Sequence, residues 1–463
     1  MKKRWLLWSA IAGALILLGF LIFPFFLHGT IGFYRVNGVT RLGYIILFSF
    51  SLLLILLALL ENKLLSRKAN ISTTISSVSV RLMTVLALLF SLGALYYVGD
   101  FFDPFQSTTP QLLLAEGTQS SGVPNMAVTL YSSTATRKSI HWGQGSSVIG
   151  TITESAPIKN HVFNLVGLQP ATSYWYSIDS GPEYSFTTPS LDQKLKFAVF
   201  GDSHFGKASS AVNEMALMTG IMADRSNNYN MLFSLGDLVD FGFRNRQWNE
   251  AFSKISPAVS TVPTAFLAGN HDALFTGVGK YKTLAYPTGL PLTSGTQLWH
   301  HIDNGKIHFL ILDVEWSAES ITPAQKIWLE RELQSIPRED WTIVMSHGFY
   351  YSSGYVTEGW KWYDNPETIA ALTPLFEKYG VDIVFSAHNH QMEVLDKNGV
   401  TYVICGAFGG DIDPERTYTS PASIWYSVAQ HDFVEADING NTADLIFRGS
   451  DGAVIHSYRV ENR

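Results

Sequence analysis

Five apolar runs in this chain each end in a cluster of Asp, Asn and His residues. Residues 195–200 run into Gly201-Asp202-Ser203-His204, 231–235 into Gly236-Asp237-Leu238-Val239-Asp240, and 263–268 into Gly269-Asn270-His271-Asp272. Further on, 341–345 run into Ser346-His347-Gly348, and 381–385 into Ser386-Ala387-His388-Asn389-His390. Carboxylate, amide oxygen and imidazole together suit Mn, Fe, Zn or related ions, and the single cysteine, Cys405, leaves no thiolate site. Asp-x-His and His-x-His on extended backbone turn both side chains to one side. Glycine ahead of the acidic motifs permits a tight turn at the strand end. One strand-end Asp or His is usually structural; five such ends in order are a site, because ligand sites of α/β sheets assemble at the carboxyl ends of strands.

The rest of the chain must position these ends. At 463 residues it is long enough for two or three domains. The net charge of −7 is mixed rather than blocked, and without a basic stripe no nucleic-acid partner is expected. Cys405 lies in an apolar run and reads as a small core residue. Stretches 5–26, 42–60 and 82–99 are uncharged, apolar and about the length of a membrane-crossing helix. Lys2, Lys3 and Arg4, and later Lys63, Arg67, Lys68 and Arg81, place the amino terminus and second loop in the cytoplasm. These features predict a membrane anchor over 1–104, a lipid bilayer as partner, and an integral membrane protein whose later part is extracytoplasmic. Over 105–190, alternating apolar and polar residues between turn signals predict a small antiparallel β-sandwich.

On the five motifs, the chain resembles the calcineurin-like metallophosphoesterases, in particular the purple-acid-phosphatase-like branch that carries an N-terminal sandwich. The resemblance covers about 110–460, with 297–315 similar to the family's mid-domain hairpin and 321–333 to the amphipathic helix that follows. Residues 161–189 resemble the late strands of a fibronectin-type-III-like domain, where Leu168, Pro170 and Tyr174 pack a strand corner. The expected fold is therefore multi-domain: transmembrane helices, the sandwich, and an αββα domain over 191–463.

The resemblance implies that Asp202, His204 and His390 bind one metal, that Asp237 bridges, and that Asn270, His347 and His388 bind the other. Asn270 and His271 would meet the substrate, with His271 protonating the leaving group and Asp272 orienting its ring. Two metal ions, Fe, Mn or Zn, would activate a water for attack on the phosphorus of a phosphate monoester. One departure concerns colour: purple acid phosphatases carry a tyrosine where this chain has Asp240, and they lack a metal-binding histidine at the position of His204, so the tyrosinate-to-iron band should be missing. Alternatives are a phosphodiesterase acting on nucleotides or lipid headgroups, and a non-catalytic binding or sensor protein; the complete ligand set argues against the latter. Aromatic residues over 349–362 either line the pocket or pack on their own domain. His141, His161, His300, His301, His308, His431 and His456 lie outside the motifs and read as structural or surface residues.

Overall fold

The structure, a computed structural model, describes residues 105–274, 277–357 and 359–462. Seven strands come first: β1 (Gln111–Thr118), β2 (Pro124–Thr136), β3 (Ser139–Gln144), β4 (Ser147–Thr153), β5 (Ile158–Leu165), β6 (Ser173–Ile178) and β7 (Glu183–Thr187). They form two antiparallel sets, β1-β2-β5 and β4-β3-β6-β7. Alternation fixes their inner faces, so that Leu112, Leu114, Val128, Phe163, Trp142, Tyr176 and Phe186 are buried together. The corner expected around Tyr174 is present: Leu168 is fully buried, and the Tyr174 hydroxyl accepts the Gln169 N–H at 2.8 Å.

The remaining elements are β8 (Lys194–Phe200), α1 (Val212–Ala223), β9 (Met231–Ser234), α2 (Asn245–Val259), β10 (Thr264–Phe266), α3 (Asn270–Ala273) and α4 (Gly277–Leu284), then β11 (His300–Asn304) and β12 (Ile307–Ile311). They continue with α5 (Pro323–Ser335), β13 (Trp341–Met345), β14 (Tyr355–Thr357), β15 (Trp360–Trp362), α6 (Pro366–Tyr379) and β16 (Ile383–Ser386). The last strands are β17 (Met392–Lys397), β18 (Val400–Cys405), β19 (Ser423–Ser427), β20 (Asp432–Asn439), β21 (Thr442–Gly449) and β22 (Val454–Glu461).

These strands make two sheets. One runs β22-β21-β20-β8-β9-β10 and continues directly into β1-β2-β5, because β1 pairs in parallel with β10 at Leu113 and Thr264. The sandwich is thus joined to the α/β part through shared backbone hydrogen bonding rather than a free linker. The other sheet runs β11-β12-β13-β16-β18-β17-β19. Phe197 and Phe233 of the first sheet meet Phe309 of the second at ring-centroid distances of 5.3 and 4.7 Å, so apolar inner faces weld the sheets together.

Helices cover the outer faces. Met215, Met218, Trp248, Phe252 and Ile255 of α1 and α2 pack on the first sheet, and Trp328, Leu329, Leu333, Leu372 and Phe376 of α5 and α6 on the second. The helix starts are written in the sequence: Thr322 caps α5 by accepting Gln325 N–H, and Asn365 caps α6 by accepting Thr368 N–H, each followed by proline. Gly380 ends α6 in the left-handed conformation. The hairpin expected over 297–315 is β11–β12, and the helix expected over 321–333 is α5.

The membrane anchor is corrected here. Among the described residues no helix is long and apolar enough to cross a membrane. The longest, α2, has 15 residues, about 22 Å at 1.5 Å per residue against a hydrocarbon core of about 30 Å, and it is amphipathic, with one face buried on the first sheet. Stretches 5–26, 42–60 and 82–99, which carried the expectation, lie outside the described residues. Transmembrane helices, a bilayer partner and integral-membrane placement are therefore not supported, and the fold that remains is a β-sandwich joined to a four-layered α/β sandwich.

Candidate metal centre

The five motifs emerge from the carboxyl ends of β8, β9, β10, β13 and β16, three strands in one sheet and two in the other. Parallel pairing within β8-β9-β10 and within β13-β16 aligns those ends side by side. The seven residues expected to hold metals converge there. Asp202, His204 and His390 form one cluster of potential ligand atoms, and Asp237, His347 and His388 another; His204, Asp237 and His271 form a third that overlaps both.

The separations are informative. His204 Nε2 and His390 Nε2 lie 3.2 Å apart, and each also faces Asp202 Oδ1, at 3.7 and 3.3 Å. His347 Nε2 lies 3.2 Å from His388 Nδ1, 3.1 Å from Asn270 Oδ1 and 3.3 Å from Asp237 Oδ2, while His388 Nδ1 is 2.9 Å from Asn270 Oδ1. Ligands held about 2.0–2.1 Å from a common ion stand about 3.0–3.4 Å from one another. Asp202 Oδ1 has no hydrogen-bond partner although the residue is wholly buried, which is costly unless a cation or proton answers it. The donor set fits two adjacent metal ions.

Outer hydrogen bonds fix which nitrogen of each ring faces inward. His347 Nδ1–H donates to the Leu235 carbonyl at 2.9 Å and His390 Nδ1–H to the Asp411 carbonyl at 2.5 Å, which turns both Nε2 lone pairs to the site. His204 Nδ1 faces the Asp240 carboxylate at 3.4 Å. Asp240 therefore supports a histidine. His271 Nδ1–H donates to the Asp240 carbonyl at 2.6 Å, leaving Nε2 free, and its backbone N–H donates to Asp237 Oδ1 at 2.8 Å.

The role expected for Asp272 changes. Its Oδ1 accepts the Val239 N–H and its Oδ2 the Gly269 N–H, both at 3.1 Å, so it braces the second motif against the third. The ring of His271 is held by Asp240 instead. Sequence could not show this, because a carboxylate next to a histidine looks like its partner until the turn directs it to backbone amides.

Electrostatics match a cation site. Burial alone would raise Asp202 and Asp237, but the imidazoles around them hold both below the ordinary carboxylate range. Burial disfavours charge on His204 and His347 as well, yet the neighbouring carboxylates push them up to about 10 and about 9. Burial and the adjacent His347 bring His388 down to about 3. Burial and Asp237 push Asp272 up to about 7. The pocket demands positive charge, which imidazolium protons or bound cations can supply.

Backbone strain, which no motif revealed, marks the same residues. Asp202, His204, Asp237 and His388 have φ of 57°, 47°, 49° and 70°, a left-handed region uncommon for residues other than glycine. The glycines are needed for close approach: a Cβ on Gly269 would stand 2.1 Å from Asp237 Oδ1.

Comparison with known proteins agrees with this geometry. Residues 195–392 match the calcineurin-like phosphoesterase family. A nucleotide pyrophosphatase/phosphodiesterase from Hordeum vulgare is 24% identical over 322 residues, 59% of this chain and 84% of the relative. Purple acid phosphatase 22 of Arabidopsis thaliana is 26% identical over 246 residues, 51% of this chain and 53% of the relative. A probable inactive purple acid phosphatase 24 from the same plant is 23% identical over 327 residues, 60% of this chain and 52% of the relative. The chain thus spans about half the length of these two Arabidopsis proteins. In structure, the purple acid phosphatase PPD1 from yellow lupin seeds superposes with a TM-score of 0.63 at 20% identity, over 78% of this chain and 75% of that one, so the fold is shared. Purple acid phosphatases are thus among the proteins that the chain resembles in both sequence and fold.

Proposed function

We propose that the protein hydrolyses phosphate monoesters at two metal ions, the first held by Asp202, His204 and His390, the second by Asn270, His347 and His388, with Asp237 shared. The observation that carries this reading is the pair of clusters Asp202-His204-His390 and Asp237-His347-His388, linked by a third made of His204, Asp237 and His271, with Asp202 Oδ1 buried and without a hydrogen-bond partner. Bound cations, whether Fe, Mn or Zn, would supply the charge that lowers the pKa of a water and neutralises the phosphate oxygens. The chain's own residues do the rest. Asp240 orients His204 through Nδ1 and His271 through its carbonyl. His271 stands partly exposed beside Asp237, with Nε2 available to the substrate. In its protonated form it donates from Nε2 to the departing alkoxide; burial lowers its pKa, which makes that proton easier to give up. Asp272 acts by holding the two loops together. We further assign 105–190 to a fibronectin-type-III-like spacer and 191–463 to the catalytic domain.

A phosphodiesterase is the second reading, favoured by the likeness to the barley nucleotide pyrophosphatase/phosphodiesterase. One assay separates them: p-nitrophenyl phosphate and bis-p-nitrophenyl phosphate are offered to the protein before and after chelation. Turnover of the monoester that disappears with chelator and returns with added metal is expected. Preference for the bis ester would move the assignment to diesters. Full activity in a sample shown by elemental analysis to be metal-free would remove the metal mechanism.

A further inference from the structure

Two tryptophans beside the second ligand cluster have no part in the proton and metal chemistry above. Trp316 follows β12, and Trp362 ends the β14–β15 hairpin. Their indoles lie 5.3 Å apart, inclined at 55°. Both meet His388, Trp316 edge-on at 4.7 Å and Trp362 stacked at 5.7 Å. Phe349, only 5% exposed, also stacks on that imidazole, at 5.9 Å. A buried ring already supports the histidine, so two further indoles are more than packing requires. Both are half-buried, leaving aromatic surface in water beside a polar pocket, where it favours being covered.

Their backbones are anchored independently of their rings. Asn389 Nδ2 donates to the Trp362 carbonyl at 3.2 Å, and Asn365 Nδ2 donates to the Trp316 carbonyl at 3.3 Å. Tyr355 lies nearly parallel to Trp362, 6.4 Å away at 19°, and its hydroxyl donates to Asp413 Oδ1 at 3.0 Å. Asp413 Oδ2 in turn accepts the His390 N–H at 2.9 Å. The hairpin is therefore tied to the turn that presents His388 and His390, and the rings are set in place before any substrate arrives. The other aromatics of this loop serve different ends: Tyr350 and Tyr351 pack against Tyr402, and Trp360 is 66% exposed.

We propose that Trp316 and Trp362 form a stacking platform for a flat aromatic group on the phosphate ester, so that aryl or nucleoside phosphates, rather than alkyl phosphates, are the substrate class. This rests on the phosphoesterase reading of the same site. Benzyl phosphate and cyclohexylmethyl phosphate test it, since both release a primary alcohol of similar size and differ in the flatness of the ring. The wild-type protein should favour the benzyl ester by about three- to tenfold in kcat/KM, the range of one aromatic stacking contact. Trp316→Leu and Trp362→Leu should lower kcat/KM for the benzyl ester more than for the cyclohexylmethyl ester and so erase that preference, whereas Trp316→Phe and Trp362→Phe should keep it. Calorimetric binding of benzylphosphonate should weaken in parallel with metal content constant. Equal loss on both esters in the leucine variants, or no preference in the wild type, overturns the platform. A wild-type protein that holds its metals yet hydrolyses neither ester overturns the phosphoesterase reading and the platform with it.

Discussion

Asp237→Asn should lower phosphate-ester turnover by more than about 100-fold, since loss of groups that merely support a metal's ligands already costs about 10–100-fold. Asp237 lies in two of the ligand clusters. Its Oδ2 faces His204 Nε2 at 3.6 Å and His347 Nε2 at 3.3 Å, while its Oδ1 accepts the His271 backbone N–H. Among the described residues, Asp237 alone lies in two ligand clusters and also accepts the His271 backbone N–H. Asparagine is the informative replacement because it keeps the shape, tolerates a φ of 49° and can still accept from His271. What it removes is the charge. Metal content should fall from two ions toward one per chain by elemental analysis, with the thermal midpoint little changed. An Asp237→Asn protein that keeps two metals and near-normal turnover would show that the carboxylate is not shared.

The site was largely legible in the sequence because each of its parts is local. A strand of apolar residues that stops at Asp-x-His or His-x-His announces both the element and the direction its side chains take. The five strand ends needed no long-range information beyond the rule that parallel strands align their carboxyl ends. The hairpin β11–β12 and helix α5 were readable for the same reason, alternation and a capped amphipathic face. What depends on distant pairing was not legible. Asp272 was misjudged because its partners, Val239 N–H and Gly269 N–H, are fixed by how two loops pack. Trp316 follows β12 without any motif and gains its meaning only from a hairpin ending 46 positions later, at Trp362. The extension of the first sheet into the sandwich rests on a single pairing of Leu113 with Thr264. The apolar amino-terminal stretches show the opposite hazard: hydropathy is a local signal too, and it led to an anchor that the described structure does not support.

Glu116→Ala should destabilise the protein by about 3–5 kcal/mol, the usual cost of deleting one member of a buried charged interaction. Glu116 is completely buried on β1, at the junction of the sandwich with the α/β part. Its carboxylate accepts the backbone N–H groups of Thr293 at 2.6 Å, Ser294 at 3.1 Å and Gly295 at 2.9 Å, and the Ser294 hydroxyl at 2.8 Å. Alanine would strand three part-buried amides, whereas Glu116→Gln keeps one acceptor and should cost less, about 1.5–3 kcal/mol. Burial by itself would raise this carboxyl, but the four donors outweigh it and hold the group below its ordinary value. A depressed folded-state pKa contributes stability that is present above the unfolded value, about 4.3, and is lost as pH falls through the folded one. His301, whose Nδ1 lies 3.6 Å from Glu116 Oε1, has the opposite sign: burial opposes its charge, but Asp303, Glu332 and Glu116 raise its pKa, so its contribution fades as pH rises. Urea unfolding of wild type and Glu116→Gln should therefore give midpoints that lie well apart at pH 7 and draw together on acidification toward about pH 3. A separation that stays constant over that range would mean that the shape of the side chain, and not its charge, holds the 293–295 turn against the sandwich.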